Sequence, residues 1–543
     1  MTTPTTENRS RQIARSTLTV MVAFAIAKII SLGQTVLIAN VFGVGREWDA
    51  FVTANSIPEL IFTLIAGGAL AHAFIPIFSG HLARDDRDGA WRITSHVINT
   101  VFSITLLVSV IVFLTAPWLV EHVVAPGFDA VGKAQTVELM RILLLSTLIF
   151  SVSGISMGIL QSHNHFLLPA IAPIMFDIGI LFGAGFLLQP FGVNGIAYGA
   201  VIGAALHLGV QIPGLIRYRM KWWPELGWND PNLWRVIRLM LPRVAGLGLF
   251  SLNFLVMNNI ASRLGEGSVS ALSWGWRLMQ IPETLIGTAM GTVIFPTLAA
   301  LSELGDEKGK REAMSGALRF ILIATIPSAI GLIFIGQPLI SLLERGAFDA
   351  SASALVYSTL RFFALGLVVH SALEVIARSF YADKDTVTPL YAAAGGAVIN
   401  LVLAYLLSGV IQVESGDPQA ANVGGLALAN SLGVMFEVVV LLWILRKRWH
   451  GANESALGQT LLKTLAASLV MAVVLVISNT IWQVTGLSDR GLAFTIVQVG
   501  SDALIGVIVF VVVAHMLKMS ELELLLRPLN RLLRRNQVEK ALP

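Results

Sequence analysis

The chain has 543 residues, 55% hydrophobic and only 13% charged, with a mean hydropathy of +0.75. Soluble domains carry roughly 25% charged residues, so a soluble fold is excluded and a polytopic membrane protein is expected. The absence of cysteine excludes disulfides and thiolate metal sites, and a formal net charge of +4 is what Lys- and Arg-rich inner loops produce, with no call for a nucleic acid partner.

The amino-terminal tail, 1–16, carries Arg9, Arg11 and Arg15 and resembles the basic start of a secretory signal. The apolar run that follows, 17–42, is too long for a signal core and closes in "NVFGVG" without a small-x-small cleavage pattern, so it reads as a retained first helix. A spanning helix needs about 20 apolar residues. Further runs of that kind lie at 51–78, 93–118, 137–160, 167–189, 193–216, 235–262, 271–300, 317–340, 353–380, 388–410, 421–446, 461–483 and 491–517, about fourteen in all. With the amino terminus inside, 28 of the 37 Lys and Arg fall on inner loops, tails and inner helix ends, against five in outer loops. That bias predicts both termini in the cytoplasm.

The second run, "NSIPELIFTLIAGGALAHAFIPIFSG", holds Glu59 directly after Pro58, and "QIPETLIGTAMGTVIFPTLA" repeats the phrase with Pro282 and Glu283. Other landmarks recur at a spacing of 220 residues: "FIP" ending at Pro76 with "IFP" ending at Pro296, "GFD" at Asp129 with "AFD" at Asp349, and "QSHNHFLLP" ending at Pro169 with "YADKDTVTP" ending at Pro389. A looser match, "GIAYGA" from Gly195 with "GLALAN" from Gly425, is displaced by a further ten residues. Matches in one order argue for duplication of a six-helix unit. An even unit enters the membrane twice with the same orientation, giving parallel repeats, which is a transporter plan.

The predicted architecture is an all-α polytopic membrane protein of two six-helix lobes plus two C-terminal helices. Its segments are the tail 1–16, an N-lobe 17–216, a cytoplasmic linker 217–234, a C-lobe 235–448, helices 13 and 14 within 449–517, and a basic cytoplasmic tail 518–543. Loops are short, leaving no soluble catalytic domain, so no enzyme, catalytic residue, metal or cofactor is expected.

Ionisable residues inside the runs are Lys28, Glu59, Asp177, Arg277, Glu283, Arg361, Glu374, Glu437 and Asp502. Each costs about 2.5 kcal/mol or more at the bilayer centre and should face a cavity or a partner. Lys28, Glu59, Arg277 and Glu283 are expected to line the lobe interface. A helix-locking ion pair is the competing reading for each. For the two glutamates a helix start weighs more, since a carboxylate after a proline meets free N–H groups and the positive end of the dipole. His72, His207 and His370 read as helix–helix hydrogen-bond partners, and Gly67-Gly68 and Gly395-Gly396 as close helix packing.

The stretches "FGVGREWDAFVTANSIPELIFTLIAGGALAHAFIPIF", "APGFD" and "GSVSALSWGWRLMQIPETLIGTAMGTVIFPTLA", with the helix count, resemble the MurJ/MviN family of lipid II flippases, within the multidrug/oligosaccharidyl-lipid/polysaccharide exporter superfamily. The resemblance implies two lobes around a cationic cavity and a groove of helices 13 and 14 for a polyprenyl tail. It places Arg277 on the family's helix-8 arginine position, and Asp49 on the family aspartate of the first outer loop. Departures are Lys28 for an arginine, Gln34 and Phe62 where arginines are usual, and Gln280 for an acidic residue. The substrate-binding candidates are therefore Arg277, Lys28, Asp49, Glu59 and Glu283.

The leading reading is a flippase of the bacterial cytoplasmic membrane for a lipid-linked oligosaccharide precursor, foremost lipid II. Its drive is expected from the membrane potential or a monovalent cation, and its partners are membrane lipids and cell-wall synthesis proteins. The alternatives are a flippase for another lipid-linked glycan, a cation-coupled multidrug exporter, against which helices 13 and 14 speak, and a non-transporting scaffold for wall synthesis.

Overall fold

A computed structural model describes residues 30–521 except 32, 67, 164, 409–417, 452, 487–490 and 520, with the side chains of 66, 68–72, 242, 243, 245 and 418–421 also left out. The described residues form helices joined by short turns. In chain order they are α1 (Gly33–Phe42), α2 (Arg46–Ile61), a π-helical turn (Phe62–Ala66), α3 (Gly68–Ala83), α4 (Arg87–Leu119), a second π turn (Val120–Val124), α5 (Ala130–Ser162), α6 (Leu167–Phe182), a third π turn (Gly183–Leu187), α7 (Leu188–Phe191), α8 (Asn194–Gly209), α9 (Ile212–Arg217) and α10 (Pro231–Ala261). There follow α11 (Ser268–Glu283), a fourth π turn (Thr284–Thr288), α12 (Ala289–Glu303), α13 (Glu307–Ser341), α14 (Ala350–Ala382), α15 (Val387–Leu407), α16 (Pro418–Arg448), α17 (Glu454–Val484) and α18 (Leu492–Met516).

Among the described residues, eleven spans are long and apolar enough to cross a membrane, twelve if the α10 segments 231–241 and 246–261, bent by 51°, count as one. The expected runs 17–42 and 51–78 pass over residues outside the description, so a count of fourteen remains an expectation.

Packing divides the chain into two units. The first takes in residues to Ser270 together with Arg345–Asp349, and the second Ala271–Glu344 and everything from Ala350. In the first, α5 packs against α2, α3, α4 and α8, and α10 against α2, α3 and α4. Helix α6 meets α8 through paired glycines, since a Cβ on Gly179 would lie 2.2 Å from Gly203 Cα, and one on Gly183 2.8 Å from Gly199 Cα. Small residues at this spacing let two backbones touch, which replaces the hydrophobic drive that lipid cannot supply. The linker after α9 is irregular and strapped onto α4. Asn99 Nδ2 donates to Trp223 O and Glu225 O, Thr100 Oγ1 donates to Leu226 O, and His96 Nδ1 lies 2.9 Å from Asp230 Oδ2.

In the second unit α14 packs on α12, α13 and α16, α16 on α15, and α17 and α18 on α13 and each other. Of the two glycine pairs expected to mark close packing, Gly396 does so against Gly433 O, 2.8 Å from a built Cβ, while Gly67 lies outside the described residues. His207 meets Ser153 Oγ at 2.7 Å and His370 meets Asn430 Oδ1 at 3.2 Å, as interhelical partners; the His72 side chain lies outside the description.

The repeat reappears in details that the sequence matches did not use. Asp86 caps α4 by accepting from Gly89 N, and Asp306 caps α13 by accepting from Gly309 N, the same Asp-x-x-Gly turn 220 residues on. Both copies also place a π turn directly after the Pro-Glu helix.

Candidate functional site: the Pro-Glu helices and a loop latch

The helix-start reading of the two Pro-Glu pairs is corrected. Pro58 and Pro282 lie inside α2 and α11, which begin earlier, at Arg46 and Ser268. Proline lacks the N–H that would bond one turn back, and the π turns that follow, 62–66 and 284–288, take up the resulting misfit. Neither glutamate therefore meets the free N–H groups of a helix start. Glu59 is exposed and accepts from Asn55 Nδ2 at 3.1 Å, one turn back. Glu283 is half-buried and accepts from Thr288 Oγ1 at 3.2 Å and Thr284 Oγ1 at 3.4 Å. Thr147 Oγ1 of α5 donates to Pro58 O, which also accepts from Phe62 N at the start of the π turn. Pro-Glu is a common helix opening and equally a proline kink inside a span, so local sequence alone did not separate the two.

Arg277 sits on α11 with an exposed side chain, as do Gln280, Ile281, Thr284 and Leu285 further along that element and its π turn. The other side of α11 and α12 is closed against α14. Thr359 Oγ1 donates to Ala271 O, and built Cβ atoms on Gly275, Gly287 and Gly291 would overlap Thr359, Ser371 and the Arg378 guanidinium. Trp276 meets Phe363 and His370 edge to face on the same side. Packing thus orients the Arg277 stripe by burying its opposite. Near Glu283 stand Glu374 and Arg378 of α14, which pair with each other across one turn. Arg378 answers the charge at Glu374, a partner readable from its i,i+4 spacing. Arg361 stacks on Phe362, and Asp502 accepts from Ser478 Oγ. Lys28 lies outside the described residues. Gln34 and Phe62 are half-buried, the latter against Phe150.

Asp49 occupies a second constellation, beside loops of the first unit. It is 2% exposed and accepts from Gly267 N at 2.6 Å, Ser270 N at 2.7 Å and Ser270 Oγ at 2.5 Å. Beside it Arg46 pairs with Asp129 at 3.3 Å and Glu266 at 3.8 Å, around a pocket of about 220 Å³. Gly43, at φ +56°, lies so close to Ala347 that a Cβ would fall 2.1 Å from its carbonyl oxygen, and Gly127 is held as tightly against Ser262 and Arg263. A side chain at Gly43 would be strained as well as blocked. Asp49 precedes the apolar run that starts at 51, and burial pushes its carboxyl up to about 7 against the opposing bonds from Ser270 and Gly267. Glu266 adds to the rise. These loops form a latch that ties the start of α2 to the start of α11. Ser270 and Gly267 are partners that the sequence did not reveal.

The family model "Lipid II flippase MurJ" matches residues 38–493. A "Probable lipid II flippase MurJ" of Rhizobium tropici is 29% identical over 514 residues, covering 93% of this chain and 94% of its own. The "Lipid II flippase MurJ" of Burkholderia cenocepacia is 30% identical over 470 residues, covering 84% and 88%. Among solved structures, "Lipid II flippase MurJ, inward closed conformation" superposes with a TM-score of 0.74 at 24% identity, covering 94% of this chain and 99% of that one. An inward-facing multidrug resistance MATE family transporter of the MOP superfamily superposes at 0.67 with 15% identity, covering 81% and 99%. The last two comparisons establish the shared fold.

Proposed function

The chain belongs to the lipid II flippase MurJ family, and from that premise we propose that it moves lipid II, the polyprenyl-diphosphate-linked peptidoglycan precursor, from the inner to the outer leaflet by alternating access. It is a many-span membrane transporter and not an enzyme. The observation that carries the reading is the family match over residues 38–493. An exposed Arg277 on a helix whose opposite side is closed supports it, because a guanidinium can grip two diphosphate oxygens. The π turns after Glu59 and Glu283 support movement of α2 and α11, as such turns are frequent at functional sites. The drive is the membrane potential or a monovalent cation, and cell-wall synthesis proteins are partners to be sought by in-cell crosslinking. Depleting the protein in its host should raise lipid II. Normal lipid II alongside a different accumulating glycan carrier would instead establish the alternative flippase reading.

Both termini are proposed to lie in the cytoplasm. In this cysteine-free chain, single cysteines at Ala134 or Ser415 should react with an impermeant thiol reagent in intact cells, and cysteines at Ser302 or Ser455 only after lysis. Outside labelling at 302 would reverse the orientation.

Helices α17 and α18 are proposed to hold the lipid tail. Both are strongly apolar spans and present exposed Leu469, Ile477, Leu504 and Val507. Tryptophan at Ala493 or Ala503 should lower transport of a long-chain carrier severalfold while leaving insertion unchanged. Silent bulky substitutions all along the two helices would remove the groove.

A further inference from the structure

The α17–α18 hairpin carries a polar cluster that the transport site does not use. Its seam is apolar at one level, where Met471 and Leu475 close on Gly506. At the next level Ser478 Oγ donates to Oδ1 of Asp502. Beyond that, Gln498 Nε2 donates to Asn479 Oδ1 at 3.1 Å, and Asn479 Nδ2 donates to Phe334 O of α13 at 2.7 Å. Asp502 is 1% exposed, and its Oδ2 is buried with no hydrogen-bond partner among the described residues.

Among the described residues, the helices packed against α18 set no counter-charge beside this carboxyl. The charged groups on the helices packed against α18 are Glu454 and Lys463 of α17 and Glu307, Lys308, Lys310, Arg311, Glu312 and Arg319 of α13. With His515, Lys518 and Glu521 they gather toward one end of these helices, where Arg319 pairs with Glu521 and Lys463 reaches Lys518 O. At about 1.5 Å per residue, Lys463 stands roughly 22 Å along α17 from Ser478, and His515 roughly 20 Å along α18 from Asp502. Asp489 and Arg490 of the connecting turn lie outside the described residues. An ionised carboxylate with a bare oxygen in an apolar seam is strongly disfavoured, and such a group takes up a proton instead.

We propose that Asp502 is a proton-binding site within the membrane, protonated while the α17–α18 seam is closed, and that its ionisation loosens the seam. A proton fits the donor set better than a metal ion. Besides Asp502 the oxygens at hand are Ser478 Oγ and Asn479 Oδ1, the latter already accepting from Gln498, whereas a hard cation needs about six or more oxygens at once. The proposal rests on packing and does not depend on which lipid is carried.

The test uses the full-length protein in nanodiscs and dicyclohexylcarbodiimide, which adds to protonated carboxyls in apolar surroundings, with the adduct located by peptide mass spectrometry. Asp502 should be labelled at neutral pH, and the label should be lost as the pH is raised. No label at neutral pH, or labelling indifferent to pH, overturns the proposal; so does protection by sodium at constant pH, which would make the ligand a metal cation. Thermal unfolding of Asp502→Asn provides a second reading. A carboxyl protonated when folded and ionised when unfolded binds more protons in the folded state, so the wild-type protein should lose stability as pH rises relative to this variant. Parallel pH profiles for the two would overturn it. Should the variant not fold, labelling of the wild-type protein decides alone.

Discussion

Arg277→Ala is expected to abolish transport in a protein that still inserts and folds. A diphosphate presents several oxygens, and a planar guanidinium holds two of them while keeping its charge in a low-dielectric cavity. With Gln34 and Phe62 at positions where the family resemblance implies arginines, Arg277 and Lys28 should share the anionic load between few cations. Hydrogen bonds to charged groups contribute roughly 1.5–3 kcal/mol each, so losing a bidentate contact should cost on the order of a hundredfold or more in transport. Arg277→Lys should recover only part of this, because an ammonium is a point charge. Lys28→Arg should be tolerated and Lys28→Ala should be damaging. The measurement is flipping of a labelled lipid II by purified variants in vesicles, with thermal unfolding run alongside. A locking role would look different: Arg277→Ala would lower expression and melting temperature, and removal of the paired acid would restore both. Full transport by a folded Arg277→Ala protein would sink the diphosphate grip.

The second large effect is expected at Asp49. Asp49→Ala leaves the N–H groups of Gly267 and Ser270 and the Ser270 hydroxyl without an acceptor in a buried place. Each stranded donor costs about 1–3 kcal/mol, so the loops should lose roughly 3 kcal/mol or more and the melting temperature should fall. Asp49→Asn keeps one acceptor oxygen and should fall between. The pH dependence follows from the carboxyl's raised position at about 7, where burial outweighs its hydrogen bonds. The folded state binds that proton more tightly than the unfolded one. Its stabilising effect is therefore complete below the ordinary carboxylate range and is lost as pH rises through about 7. Comparing wild-type and Asp49→Asn melting curves between about pH 4 and 8 isolates the effect, expected on the order of 2–4 kcal/mol. A wild-type protein that gains stability over the variant across that window would show the carboxylate to be the form the latch prefers.

What local sequence reveals here is what the bilayer imposes. Hydrocarbon thickness sets the length of an apolar run, and from such runs came the α4–α18 spans and the all-helical class. Duplication is equally legible because it is written in order along the chain. Arg277 and Glu283 were found because a charge inside an apolar run stands out, and Asp49 through a motif.

The roles of these residues were decided elsewhere. Asp49 meets Gly267 and Ser270, 218 and 221 residues away, and Lys310 meets Asp383, 73 residues away. Nothing in either local stretch names the other partner. Pro58 and Pro282 read as helix starts until packing showed each inside a helix that relaxes through a π turn. Asp502 entered as one charge among nine, and only the tertiary structure set Ser478 against it and left one oxygen unanswered. The physical reason is common to all of them. Lipid cannot satisfy a polar group, so each must find its partner on another helix, and that choice is made by three-dimensional packing over sequence distances that no local pattern encodes.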